Sequence, residues 1–215
     1  MTGSIFDGLF VAEGSSDMPI ADIVERLFFE RGVEVRLSKP DFGLLGKVPK
    51  VVSSRLAAGE QLHGGTFDVV VVHRDADNAG VAARRREITT AADTLSGEPQ
   101  VIPVIPVRMT EAWLLLDEAE IRFVAGNPNG KNPLHLPGRR EVEARADPKQ
   151  ILQAALLNAA EAKGRRHERE RKRFFEHRRL LLERLDCNGP VTRLSGWQQM
   201  VADVDEACRA LAGRS

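Results

Sequence analysis

Apolar residues along the chain alternate between short β-branched runs and longer stretches at helical spacing. Residues 5–12 read as a first strand that closes on Glu13-Gly14. Beyond it, Ile20, Ile23, Val24, Leu27 and Phe28 recur at three- and four-residue spacing, which predicts a helix over about 17–31 with Ser16 as its N-cap. Gly32 stops that helix, and 33–37 is a short second strand. Residues 44–58 carry a weaker pattern, a loop followed by a helix. The strongest strand is 67–73, where Val69-Val70-Val71-Val72 shows no polar alternation, as expected of a strand buried on both faces of a parallel sheet. Residues 79–95 return to helical spacing. Residues 101–107 form another apolar strand, whose Pro103 and Pro106 point to an edge position or an early end. A further helix opens at Glu111 and runs to Asp117.

Strand and helix in strict alternation imply right-handed βαβ units, and so an α/β fold with an open, mostly parallel sheet flanked by helices. The texture changes after Gly126. Residues 127–138 are rich in Asn, Pro and Gly and read as a long loop. Asp147-Pro148 is a helix start, a capping carboxylate followed by proline in the first turn. Residues 149–184 and 196–211 are then helical. In the last of these, Trp197, Met200, Val201, Val204 and Leu211 form an apolar stripe that faces a core. The expected organisation is an α/β domain over 1–125, a loop over 126–147 and a helical extension over 148–215 packed on the same core.

Composition narrows the chemistry more than the fold. With 215 residues, 42% hydrophobic and 29% charged, the chain has the make-up of an ordinary globular protein that needs no disulfide or metal to fold. Residues 1–10 lack a basic n-region and a long apolar stretch, and no window nears the 18 apolar residues of a membrane span, so a cytoplasmic protein is expected. The two cysteines, Cys187 and Cys208, are too few for a zinc ribbon, and there is no tyrosine at all. The five histidines form no H-E-x-x-H pattern, and no Gly-x-Ser-x-Gly elbow is present, which disfavours zinc and serine hydrolases. His73 stands beside the acidic residues discussed next and reads foremost as a strand-end structural residue.

Three acidic signals fall where predicted strands end, which is where open α/β sheets place their sites. They are Glu13, then Asp75-Ala76-Asp77, then Glu111 with Asp117 farther on. Carboxylates at i and i+2 beyond one strand, joined by a third from another, supply the hard oxygen donors of a Mg²⁺ site. A cation also relieves the repulsion among them. Taken singly, an Asp-x-Asp after a strand is more often a turn or a helix cap, and Glu13 reads equally as part of a helix start.

The order "VAEGSSD" then "VVVVHRDAD" resembles the Toprim domain of topoisomerases, primases and OLD-type nucleases. "IPVRMTEAWLLLD" and "DPKQIL" are similar to a narrower group of small stand-alone bacterial Toprim-like proteins, and the resemblance covers roughly residues 5–155. It implies that Glu13, Asp75 and Asp77 hold Mg²⁺ or Mn²⁺, that Glu13 doubles as a general base, and that Glu111 is a further ligand or orients a water. The absent tyrosine excludes topoisomerase chemistry, and the cysteine count excludes the zinc module of primases. The segment from Gly126 to Asn132 has the wrong spacing for a P-loop, lacks its Ser/Thr and runs into Pro133, so the ATPase partner of OLD-type proteins is missing too. The expectation that remains is a metal-dependent nuclease-like phosphodiester hydrolase acting on DNA or RNA, with defence against phage or mobile elements as the setting the resemblance implies. The alternative is a non-catalytic Toprim module that binds nucleic acid or a partner protein in a defence or toxin operon. A metal-dependent phosphatase or RNA-processing enzyme is a third reading.

Lys47, Arg74 and Arg108 are the cations expected near a scissile phosphate, with simple surface solvation as the even alternative. The zero net charge conceals a division. Residues 1–160 carry 18 Lys/Arg and 22 Asp/Glu, whereas 161–184 carry ten against five. In that basic stretch Arg165, Arg169, Lys172 and Arg173 can share a helix face as a phosphate-tracking surface, with Phe174, Phe175 and Leu181 on the buried side. Glu168, Glu170 and Glu176 are interleaved, so a solvated helix laced with Glu–Arg pairs is slightly favoured.

Overall fold

A computed structural model describes residues 5–213; the first four residues of the N-terminal segment considered above lie outside it. In chain order the elements are β1 (Ile5–Val11), α1 (Pro19–Phe29), β2 (Glu34–Ser38), α2 (Val52–His63), β3 (Val69–His73), α3 (Val81–Ala92), β4 (Gln100–Val104), α4 (Glu111–Leu114), α5 (Glu118–Val124), α6 (Pro148–Ala160), α7 (Gly164–Lys172), α8 (Phe174–Glu183) and α9 (Ser195–Ala212). The fold is α/β, with an open four-stranded sheet, all parallel, flanked by helices and followed by a helical C-terminal region. Among the described residues no helix is long and apolar enough to cross a membrane.

Two compact units interleave along the chain. The first takes the residues up to Arg74, Val81–Ile105 and Gly196 onward; the second takes Asp75–Gly80 and Pro106–Ser195. These boundaries fall elsewhere than the positions 125 and 147 suggested by texture, because α9 joins the first unit and the short Asp75–Gly80 segment joins the second.

The first unit contains the sheet, in the order β2-β1-β3-β4. All five residues of β3 are buried, which accounts for its unbroken β-branched run. Pro103 lies in β4, an edge strand that stops at Val104, so its missing N–H costs no interior ladder bond. Gly8 lets β1 sit tightly between its neighbours, since a Cβ there would be 2.5 Å from Leu37 Cδ2 and 3.2 Å from the Val69 carbonyl. The expected apolar face of α1 is buried throughout, and each such side chain contributes roughly 1.5–3 kcal/mol. Ser16 is not its cap. Residues Ser15–Asp17 form a single 3-10 turn, and Pro19 sets the first helical position, where its fixed φ and missing N–H fit. In α9, Trp197, Met200, Val204 and Leu211 are buried, with Val201 at the margin of the stripe. Arg85–Asp203 at 2.6 Å and an Arg31–Asp205 pair hold α9 to α3 and to the end of α1.

The second unit is helical. Asp147 caps α6 by accepting from the Gln150 N–H at 2.8 Å, with Pro148 at the first position. The continuous helix expected over 149–184 is instead three helices. Glu161 turns left-handed (φ 48°) and Gly164 also has positive φ (54°), which ends α6 and starts α7; a second break falls at Arg173. That break turns Phe174 inward while Phe175 stays 59% exposed, against the expectation that both are buried. Lys149 covers the Phe175 ring at 5.1 Å. The loop before α6 is fastened to its far end: Asn127 Nδ2 donates to the Ala159 carbonyl at 2.9 Å, and Glu161 Oε1 accepts from the Lys131 and Asn132 N–H groups at 2.6 and 2.8 Å. These backbone bonds hold the Glu161 carboxyl below the usual carboxylate range.

Candidate functional site

The strand order reverses between β1 and β3, and open α/β sheets bind ligands at such a point, beyond the carboxyl ends of their strands. Val11 and Val72 are in register across this pair. Two residues past Val11 stands Glu13, and directly after His73 stands Arg74. Arg74 Nη1 meets Glu13 Oε1 at 2.9 Å, with the side chains 16% and 38% exposed. Arg74 also reaches Glu87 of α3 at 3.5 Å, and Arg84 holds Glu87 from its other side at 2.8 Å. Its own N–H donates to the Val104 carbonyl at 3.1 Å, extending the β3–β4 ladder by one residue. The Glu13 carboxylate is therefore oriented by a rigid strand end, yet open enough to meet solvent.

Arg55, on α2, was not among the residues that spacing singled out. Its terminal nitrogens donate to the main-chain carbonyls of Ala12 and Glu13, the latter at 3.4 Å, which fixes the backbone that carries the Glu13 side chain. Its guanidinium lies 5.5 Å from the centre of the Phe42 ring. Burial pulls its pKa below the ordinary arginine value, with Glu13 acting upward and Arg74 downward. A signal existed in the sequence: Arg55 has no acidic residue three or four positions away on its helix, so its charge had to be met from elsewhere. His73, the last residue of β3, is 1% exposed, with Nδ1 3.8 Å from Asp17 Oδ2.

In the second unit, Asp75 Oδ1 accepts from the Thr110 N–H at 2.9 Å and from the Thr110 hydroxyl at 3.0 Å. Ala76 and Asp77 donate their N–H groups to the carbonyls of Pro106 and Arg108, at 3.1 and 2.9 Å. Asp77 and Arg108 are both left-handed, at φ 45° and 67°, and Arg108 Nη1 donates to Asn78 Oδ1 at 3.1 Å. Glu111, expected as a ligand or water-orienting group, is 4% exposed and forms a buried ion pair with Arg178 of α8.

Glu13 thus belongs to the first unit, and Asp75, Asp77 and Glu111 belong to the second. Carboxylates are the right donors for Mg²⁺ or Mn²⁺. Among the described residues, however, no three His, Cys, Asp or Glu side chains gather as a group that could hold a metal ion.

The remaining cations vary in how far their charge is met. Lys47 is exposed and makes no ion pair among the described residues, and the same holds for Arg165 on α7. Arg169 is 68% exposed and 3.7 Å from Glu170. Arg173 is held between Glu170 at 3.4 Å and Glu176 at 3.0 Å, and the hydrogen bond to Glu176 raises its pKa. With Arg171–Glu168 and Arg179–Glu183 also paired, most of the basic stretch is laced with its own carboxylates. Comparison with protein-family models, with curated proteins and with solved structures finds no match, so the likeness to Toprim domains rests on the quoted motifs alone.

Proposed function

We propose that this chain is a Mg²⁺- or Mn²⁺-dependent, nuclease-like phosphodiester hydrolase acting on nucleic acid. The supporting observation is the Glu13–Arg74 pair at the carboxyl ends of the two central parallel strands, where this architecture holds its ligands. Glu13 is the proposed general base, a half-exposed carboxylate able to take a proton from an attacking water. Arg74 is the proposed phosphate-facing cation, a fork of donors matched to phosphoryl oxygens. Glu13, Asp75 and Asp77 are the proposed metal ligands; they would hold the cation, which would lower the pKa of a bound water.

The same partnerships favour a second reading. Carboxylates already held by Arg74, Thr110 and Arg178 suit a non-catalytic module that binds nucleic acid or a partner protein. Incubation of the purified chain with plasmid, single-stranded DNA and RNA under Mg²⁺ or Mn²⁺ separates the two. Cleavage that disappears in Asp75→Ala and Glu13→Ala is the expected result. Binding without cleavage, on every substrate and with both metals, overturns the hydrolase and leaves the binding module.

A further inference from the structure

We infer that Lys50, Arg55 and Arg74 form an oxyanion cradle around Glu13, within the first unit, that seats one phosphoryl oxygen. These four side chains line a small cavity floored by Val11 and Val52, with a volume of about 10 Å³. That is the space of one water molecule or one phosphoryl oxygen. Three cations face it against a single carboxylate, and Glu87, the other carboxylate on Arg74, is shared with Arg84.

The cavity is lined by more cationic donors than carboxylate acceptors, which suits an anionic oxygen. Arg55 directs its terminal nitrogens to two main-chain carbonyls, which are neutral acceptors, and Glu13 is the carboxylate that acts on its charge. The Nε atoms of Arg55 and Arg74 are both buried and have no hydrogen-bond partner among the described residues. A buried donor lacking an acceptor is costly, and more so when it is charged. An anionic oxygen in the cavity supplies a counter-charge to the cations that line it, in surroundings that water screens little. Lys50 is exposed beside the cavity, placed to meet the rest of a phosphate group that is itself too large to enter. A backbone phosphodiester and a terminal phosphate share this chemistry. Only the assignment of the phosphate to nucleic acid rests on the function proposed above.

The test uses the full chain in EDTA, titrated calorimetrically with inorganic phosphate and with a short single-stranded oligonucleotide, with and without a 5′-phosphate. Saturable binding is expected, weakened about tenfold by Lys50→Gln and by Arg55→Gln. The exposed Lys50 position keeps the test valid should Arg55→Gln fail to fold. Arg85→Gln, which removes a cation elsewhere on the first unit, is expected to leave binding unchanged. Tighter binding of the 5′-phosphorylated oligonucleotide assigns the cradle to a terminal phosphate, and equal binding assigns it to the backbone. Absence of saturable binding by any probe overturns the cradle, as does binding indifferent to both substitutions. Because the titration is run in EDTA it reads the cradle alone, so phosphate binding there, together with no cleavage in the separate Mg²⁺ or Mn²⁺ assay, upholds the cradle and counts only against the hydrolase. Cleavage without phosphate binding does the reverse.

Discussion

Glu111 accepts a hydrogen bond from Arg178 Nε at 2.8 Å, and each of the two side chains keeps only 5% of its surface. The pair joins α4 to α8 at the centre of the second unit. Either charge left alone there has no water to solvate it, so Glu111→Ala is expected to lower the free energy of unfolding by about 3–5 kcal/mol. Urea denaturation measures this, and an unchanged midpoint would show that the pair does not hold the helices.

Arg108 adopts φ 67°, which costs a side chain with a Cβ on the order of 1 kcal/mol. Arg108→Gly is therefore expected to raise the melting temperature by a few degrees, even with the Asn78 bond lost. Oligonucleotide binding is expected to weaken in the same variant, because a cation is removed. A lower melting temperature would contradict the strain, and unchanged binding would remove Arg108 from the interface.

Gly59 places α2 against β1 so closely that a Cβ there would lie 2.6 Å from Leu9 Cδ2, on a side chain with no exposure. In most helices replacing glycine stabilises. Here Gly59→Val is expected to destabilise by about 1–3 kcal/mol through overpacking, as read by thermal melting. A more stable variant would show that Leu9 has room to move.

His177 is 3% exposed, with Nε2 3.7 Å from Glu170 Oε2. Burial pushes its pKa down, Arg173 adds to the effect, and Glu170 and Glu176 oppose it. The unfolded chain therefore binds the proton more tightly than the folded one. Stability is complete above the unfolded histidine value of about 6.5, declines as pH falls through it, and levels off below the folded value. Urea midpoints measured between about pH 7.5 and pH 5.5 are expected to fall in the parent chain and to fall less in His177→Leu. Equal slopes would show that another group carries the dependence.

The parts of the fold written in local pattern were legible. The valine run of β3, the apolar face of α1, the Asp147 cap and the edge position of β4 each follow from residues within a few positions of one another. The breaks at Glu161 and Arg173 were not, because both are charged residues of good helix propensity and the partners that fix Glu161, the Lys131 and Asn132 amides, lie some thirty positions away. The candidate site divides in the same way. The positions of Glu13, Asp75 and Asp77 beyond their strands could be read from spacing alone. Their surroundings depend on residues distant in the chain, such as Arg74 on Glu13, Thr110 on Asp75 and Arg178 on Glu111, 61, 35 and 67 positions away. Arg55 was missed for the same reason, since the backbone it fixes lies more than forty positions back.

The carboxylate of Glu161 across the amides of Lys131 and Asn132 gives the loop after α5 a fixed length. Its spelling imitates a nucleotide cradle, but the chain has closed that cradle on itself with an internal anion. Gly126 to Asn132 thus acts as a clasp for the end of α6, and a single inserted residue would open it. The loop's glycines and asparagines answer to that closure.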